Sequence, residues 1–400
     1  MEKTDAIIWD EATMSDRTIF ECVDRTFRDL LDNRSLPFGG MTMLLGGDFR
    51  QTLPVKPKKP PSEIIQSTLP NSKLWRHFIV CPLSYNMRLS SSGLSDAEIH
   101  LRQNFANWLL DIGNGSVGTL NSEDDPNVFN VDIPSSLLLP KVNPTLADLI
   151  GFVYPEDILS NPTFSSLSNR GIVCPTNDTA DEINRIIVAM TPGLCKSYLS
   201  TDSIIPHTQR TCDIDLLYPP EYLHQLNFPG LPLHSLDLKV NSPVLMIRNM
   251  NPSLGLCNGT RLVVSQVLSA LIEATIVTGL SAGQRVCIPR FKFIHKDPEL
   301  PFVFIRKQFP LRVCYAMTIN KSQGQSLDRI GVYLPQPVFS HGQLYVALSR
   351  ATAHTSLKVL ALNEDKEVTK KTKNVVYRSL LLKVNNLEVL CVYVMFTFLY

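Results

Sequence analysis

The sequence predicts an α/β protein in which buried parallel strands alternate with helices and a compact β-rich segment is inserted late in the chain. Two short apolar runs carry the parallel-sheet part. Ala6-Ile7-Ile8-Trp9 ends on Asp10-Glu11, and Met41-Thr42-Met43-Leu44-Leu45 ends on Gly46-Gly47-Asp48. Between them lies a polar stretch with apolar residues at helical spacing. Strand, helix, strand with acidic residues at the strand exits is the order of a parallel sheet, where ligands gather at the C-terminal edge. The inserted part is read from short β-like runs between about Asn251 and Lys307, such as Arg261-Leu262-Val263-Val264 and Ala274-Thr275-Ile276-Val277.

Taken in order, the first helix is expected from about Asp16 to Asp32, with Ile19, Val23, Phe27, Leu30 and Leu31 on its apolar positions. Pro54 to Pro61 is rich in Lys and Pro and reads as an exposed loop. From about Ser90 to Ser168 the pattern weakens into an irregular connector with one helix around Ala97 to Ile112. A second α/β region opens with the strand Gly171-Ile172-Val173-Cys174-Pro175, followed by a helix from Thr179 to Met190 that Asp178 is placed to cap. No internal repeat is evident.

At 400 residues the chain has room for two or three domains. Its 44% hydrophobic and 19% charged residues are ordinary for a soluble globular protein, and a net charge of +1 gives no vote for a nucleic-acid partner. The nine cysteines form no CxxC pair and no Cys/His cluster at metal spacing. That pattern fits reduced thiols in an intracellular protein and argues against a disulfide framework or a zinc site. The N-terminus lacks a signal-peptide layout. The apolar tail from Val389 to Tyr400 is too short to span a bilayer and reads as a buried strand, a gene-model artefact or, least favoured, a tail anchor.

Two local patterns suggest chemistry. A carboxylate pair such as Asp10-Glu11 at the end of a buried strand suits nucleotide hydrolysis: one carboxylate holds Mg²⁺, usually through water, and its neighbour orients or deprotonates the attacking water. Alone it also reads as a solvated strand terminus. The string from Gly46 to Val55, Gly-Gly-Asp-Phe-Arg-Gln-Thr-Leu-Pro-Val, is more specific. Its glycines permit close backbone or ligand approach, and Gln51 is placed to reach a terminal phosphate or the attacking water. A tight turn with a capping Asp explains the glycines but not the whole string.

These blocks resemble motifs II and III of the superfamily I helicases of the Pif type, eukaryotic DNA helicases related to bacterial RecD. The closest likeness is to the helicase portion of Helitron-type transposon proteins. The resemblance continues in order along the chain. Leu83-Ser84-Tyr85-Asn86-Met87-Arg88 resembles motif IV, and Cys174-Pro175-Thr176-Asn177 the entry to the second motor domain. Leu256-Cys257-Asn258-Gly259-Thr260-Arg261 sits at the inserted barrel. Ala316 to Ser326 (AMTINKSQGQS) resembles motif V, and Gln343 to Ala351 (QLYVALSRA) motif VI.

The resemblance implies tandem RecA-like motor domains, the first truncated at its N-terminus, with a small SH3-like β-barrel inserted in the second. The expected partition is a first-motor remnant over 1–80, second-motor segments over 81–250 and 311–400, and the barrel over 251–310. It implies ATP and Mg²⁺ as cofactors, with Asp10 at the metal, Glu11 and Gln51 at the attacking water, and Gln323 and Gly324 where nucleotide and DNA sites communicate. Arg88 and Arg350 are the expected cationic pair at the γ-phosphate, where guanidinium groups neutralise transition-state charge. Thr176, Asn177, Thr318, Asn320, Lys321 and Ser322 offer donors to a single-stranded phosphate backbone, although turn formation and helix capping explain them as well. Many relatives carry His at position 320; Asn donates similarly without a pH-dependent charge, and the Helitron-type relatives share it.

The implied activity is ATP-driven 5′ to 3′ translocation on single-stranded DNA and unwinding at duplex junctions. Family roles run from repair, recombination and telomere maintenance to transposition, in the nucleus or a mitochondrion. A Gly-x-x-x-x-Gly-Lys-Ser/Thr loop is not found anywhere in the sequence. Gly193-Leu194-Cys195-Lys196-Ser197 and Asn320-Lys321-Ser322 lack the loop glycines. In the family the loop lies upstream of motif II, and only nine residues precede Asp10 here. Weak or absent ATP hydrolysis is therefore expected, since the loop supplies backbone N–H groups, a Lys and a metal-binding hydroxyl. The competing expectation is a non-enzymatic Helitron remnant, at most a fragment that binds single-stranded DNA.

Overall fold

The computed structural model describes residues 4–83, 95–122, 125–207, 217–277, 279, 281–351, 353–385 and 393–397. The chain divides into two compact units, one of residues 1–149 with 322–400 and the other of residues 150–321.

In the first unit the strands Ala6–Trp9 and Thr42–Gly46 run parallel, with Ala6 opposite Thr42 and Trp9 opposite Leu45. The helix between them spans Arg17–Leu30, and Asp16 caps it by accepting from the Thr18 N–H. Its core face is offset from the one the spacing suggests, although Val23 and Leu31 of the expected set pack with Phe27 on the same core. Phe20, Asp24 and Phe27 are buried, whereas Ile19 and Leu30 are more than half exposed. The reason is Asp24, a polar residue inside. Its carboxylate accepts from the Phe38 N–H at 2.6 Å and pairs with Arg28 at 2.9 Å, so the turn after the helix is tied to the helix itself. That turn brings Phe38 against Phe20 and Phe27 in edge-to-face contacts. Gly39, at φ +64°, passes so close that a Cβ would stand 2.7 Å from the Phe27 carbonyl.

The apolar tail contributes the strand Tyr393–Thr397, which lies parallel between Thr42–Gly46 and Phe78–Pro82. The region expected to be an irregular connector is more regular than its pattern. It holds the helix Asp96–Asn114, opened by a Ser95/Glu98 capping box, and the strand Asp125–Asp132. That strand lies between Thr119–Ser122 and Lys371–Val375 and pairs antiparallel with both, so one of its partners is distant in sequence. Arg329–Leu334 and Leu357–Leu362 form a further parallel pair.

In the second unit the strands Arg170–Cys174 and Ala316–Thr318 pair in parallel. The following helix spans Asn177–Met190 and is capped by Thr176, not Asp178, so it begins two residues earlier than expected. The β-rich part is also wider than its sequence signal. An antiparallel sheet joins Pro243–Met246, Arg261–Val267, Leu271–Ile276, Arg285–Pro289 and Leu311–Val313 over a core that includes Val244, Leu262, Ile272 and Ile288. A second antiparallel group brings Thr201–Pro206 to Phe302–Gln308. Among the described residues no helix is long and apolar enough to cross a membrane.

Candidate functional site

The parallel register of Ala6–Trp9 with Thr42–Gly46 sets Asp10-Glu11 and Gly47-Asp48 at neighbouring strand exits. Glu11 takes a left-handed conformation (φ 50°, ψ 35°), an uncommon state for a non-glycine residue, at the start of the turn Ala12–Met14. Its N–H donates to Asp10 Oδ1 at 2.8 Å, which leaves the exposed Asp10 carboxylate facing outward. Gly47 lets the turn Ala12–Met14 pack close, because a Cβ there would stand 2.9 Å from the Thr13 side chain.

Glu11 is held from the other end of the chain. Gln323 Nε2 donates to Glu11 Oε2 at 2.9 Å, while Gln323 Oε1 accepts from Thr52 Oγ1 at 2.5 Å. The Thr52 hydroxyl therefore sets which end of the amide faces the carboxylate. Gly324, at φ +75°, adjoins the other oxygen; a Cβ would be 3.9 Å from Glu11 Oε1. Glu11 Oε1 is itself buried without a hydrogen-bond partner. Burial pushes the Glu11 carboxyl above its usual range. The Gln323 hydrogen bond and the Arg350 charge pull it back, and Asp10 and Asp48 push it further up.

Gln51 is fully buried, and neither its amide oxygen nor its nitrogen has a hydrogen-bond partner. Leaving such a group unsatisfied costs about 1–3 kcal/mol, so the position favours a ligand that supplies the partners. The flanking loop is pinned in place. Asp48 accepts from the Arg50 N–H and Nε at 3.0 and 2.8 Å and from the Tyr345 hydroxyl at 3.1 Å. His341 is buried between the Phe49 carbonyl, 2.7 Å from Nε2, and the Tyr377 N–H, 2.9 Å from Nδ1. It donates to the first and accepts from the second, which requires a neutral ring, and burial lowers its pKa to about 4. Gly342, at φ +73°, lets the helix Gln343–Ser349 start against the loop. A Cβ there would lie 2.4 Å from the Arg50 carbonyl.

Arg350 ends that helix and is almost fully buried. Its guanidinium donates to the Val346 and Gln325 carbonyls and to the Ser349 hydroxyl. Its charge is felt at Glu11, as the carboxyl shift records, so the first unit brings Asp10, Glu11, Gln323, Gly324 and Arg350 into one region, with Gln51 adjoining through its neighbour Thr52. Arg88 lies outside the described residues. His341, Gly342 and Tyr345 were not singled out from the sequence, and Asp48 was read only as the capping residue of a tight turn, a role its bond from the Arg50 N–H fits. Asp48 and Tyr345 stood inside recognised strings, but their pairing spans most of the chain and has no local signature.

The residues expected to meet a nucleic-acid backbone fall mainly in the second unit. Asn177, Thr318 and Lys321 line one small pocket together with Arg312, whose Nη1 donates to Asn177 Oδ1 at 3.0 Å. Burial, with help from Arg312, lowers the Lys321 pKa. Thr176 serves as a helix cap, accepting from the Thr179 N–H. Asn320 and Ser322 sit in the short turn Ile319–Ser322, and Ser322, fully buried, belongs to the first unit.

The profile of the PIF1-like helicase family matches residues 1–123, and that of the DNA helicase Pif1 2B domain matches residues 221–267. The chain is similar to Pif1-type helicases. The ATP-dependent DNA helicase PIF1 of Danio rerio is 27% identical over 355 residues, and that of Homo sapiens 25% identical over 371. Each alignment covers 88% of this chain but 46% of the relative, so the chain spans less than half the length of these Pif1 proteins. Among solved structures, Pif1 helicase from Bacteroides in complex with ADP-AlF3 and ssDNA is similar with a TM-score of 0.59 and 21% identity, covering 94% of this chain and 73% of that one. Pif1 helicase from Candida albicans gives a TM-score of 0.59 at 21% identity, with 96% and 76% covered. The fold is accordingly the mixed α/β fold of Pif1 helicases, built on RecA-like motor domains.

Proposed function

We propose that this chain is motor machinery of a Pif1-type, ATP-dependent DNA helicase, which couples ATP hydrolysis to 5′ to 3′ movement along single-stranded DNA and to opening of duplex junctions. The observation that carries the proposal is the assembly at the two strand exits: Asp10 exposed, Glu11 half-buried and held by Gln323, and Gln51 buried with both amide atoms unpartnered. This set fits a hydrated Mg²⁺ and a terminal phosphate. When bound, Mg²⁺ would neutralise phosphate charge, and Asp10 would hold it. Glu11, with its carboxyl raised by burial, takes the proton of the attacking water, and Gln51 orients that water or the phosphate. Arg350 and Arg88 supply cationic charge to the leaving phosphates. Thr176, Asn177, Thr318, Asn320, Lys321 and Ser322 carry the strand's backbone, and Gly324 gives the Gln323 loop its turn.

The domain partition belongs to the same proposal, with the small SH3-like barrel at 251–310; the 2B-domain match and the antiparallel sheet around it support that part. Roles in repair, recombination, telomere maintenance or transposition, and a nuclear or mitochondrial site, follow from the relatives alone. A second reading is a chain that binds single-stranded DNA without hydrolysing ATP. The experiment that separates them is ATP hydrolysis with and without single-stranded DNA, for the chain alone and joined to a segment that carries such a loop. Turnover that needs the loop and Glu11 supports the motor. DNA binding with no turnover in either form supports the second reading.

A further inference from the structure

The second unit contains a cavity of about 320 Å³ beside the residues assigned to the nucleic-acid backbone. One side is the helix Asn177–Met190, through Asn184, Arg185 and Val188; another is the segment Leu233–Asp237. Arg312 forms the wall shared with the small pocket of Asn177, Thr318 and Lys321. Its guanidinium is fixed by Asp181, which it meets through both Nε and Nη2, and by Asn177. The cavity and the small pocket therefore adjoin across Arg312.

The lining has the chemistry of a flat aromatic ligand with a polar edge. His224 and His234 stack at a centroid distance of 3.8 Å and an interplanar angle of 17°. Ser200 fixes this stack. Its hydroxyl donates to Asp202 Oδ1 at 2.7 Å, so at 2.8 Å it can only accept from His234 Nδ1–H. Val188, Leu236 and Leu311 supply apolar walls, and Asp237 a carboxylate that can accept from an exocyclic amine or ring N–H. The volume is at the lower end for small-ligand sites, enough for one heteroaromatic ring system.

A cation fits less well, although Asp202, His224 and His234 stand close enough to share one. Both Asp202 oxygens are taken by Arg306, at 2.9 and 2.7 Å, and Arg306 is fully buried. A metal ion would be set beside a buried guanidinium, where like charges repel at low effective dielectric.

We propose that this cavity receives one base of a single-stranded nucleic acid whose backbone lies on Asn177, Thr318 and Lys321. The assignment rests on the backbone track proposed above and adds a base subsite to it. Bases stack on His and Arg planes without demanding one sequence, so the pocket acts as a step marker along the strand, with Asp237 giving a mild preference for bases that carry a donor edge.

The test uses the full chain and fluorescence anisotropy with labelled oligothymidylate, an abasic oligomer of the same length, and free thymidine monophosphate as competitor. The abasic oligomer should bind about tenfold more weakly. Val188→Trp, which fills the cavity, and His224→Ala should each weaken oligothymidylate binding about tenfold while leaving abasic binding unchanged, a split that misfolding would not produce. Lys321→Ala should weaken both oligomers alike. If Lys321→Ala weakens binding but the cavity variants and the abasic oligomer do not, the base subsite is overturned and the backbone track stands. Competition by the free nucleotide at concentrations equal to the oligomer would overturn a strand-borne ligand. No binding to any oligomer would overturn the subsite and the track together.

Discussion

Gln323 donates to Glu11 across 2.9 Å, joining a residue near the start of the chain to one in its last fifth. The amide is oriented by Thr52, so three sequence blocks that are far apart meet in one hydrogen-bonded line. Each supplies a distinct function: a carboxylate, the donor that holds it, and the hydroxyl that fixes the donor's orientation. Several consequences can be measured.

Glu11 is raised by burial, so its ionised form is disfavoured in the fold. A carboxyl raised in the folded state stabilises most when protonated, and that contribution is lost as pH rises through its folded pKa. Glu11→Gln should therefore raise the melting temperature of the chain at pH 7.5, and the gain should vanish near pH 4. Thermal scans at both pH values check this. Equal shifts at the two values would place the effect elsewhere.

His341 shifts in the opposite sense of stability. Its pKa falls to about 4, so the fold holds it neutral while the unfolded chain titrates near the ordinary histidine value. Stability is full above about pH 6.5 and should fall as the pH drops toward 4, by roughly 3 kcal/mol. Denaturant titrations at stepped pH measure the loss, and His341→Gln should flatten its slope.

Gly342→Ala places a Cβ against two carbonyls, at 2.4 Å from Arg50 and 2.5 Å from Gln51, on a backbone with φ +73°. The helix must withdraw from the loop. We expect a cost of about 3 kcal/mol or more, measured as a lower denaturation midpoint, whereas Gly193→Ala, at an open position, should cost about 1 kcal/mol from backbone strain alone.

Arg306 is buried and saturated by Asp202 and by the Pro232 and Leu223 carbonyls. Arg306→Leu leaves Asp202 buried without its counter-charge, at a cost of about 3–5 kcal/mol. Asp202→Asn combined with Arg306→Leu should recover part of this loss in the same denaturation assay.

Much of the site was legible because its parts lie in short strings. The strand Ala6–Trp9 and its Asp10-Glu11 exit, the Gly46 to Val55 loop and the Gln323-Gly324 turn each carry local signals that the structure brings together. The buried face of the first helix was read in part, through Val23, Phe27 and Leu31; the rest was missed because Asp24 counts as polar in any periodicity, although Arg28 and the Phe38 N–H satisfy it inside. The strand Asp125–Asp132 was missed because its Asp, Pro and Asn residues break the apolar alternation and one of its two partners, Lys371–Val375, is distant in sequence. His341 and Tyr345 were passed over for a similar reason: their partners, Phe49 and Asp48, are far away in sequence.

The most direct measurement is ATP hydrolysis, stimulated by single-stranded DNA, by this chain joined to a segment that supplies a phosphate-binding loop, compared with its Glu11→Gln variant. The site predicts turnover in the joined protein and a loss of about a hundredfold or more in the variant. No turnover once the loop is supplied, or turnover indifferent to Glu11, would contradict the assignment of this carboxylate as the hydrolytic centre.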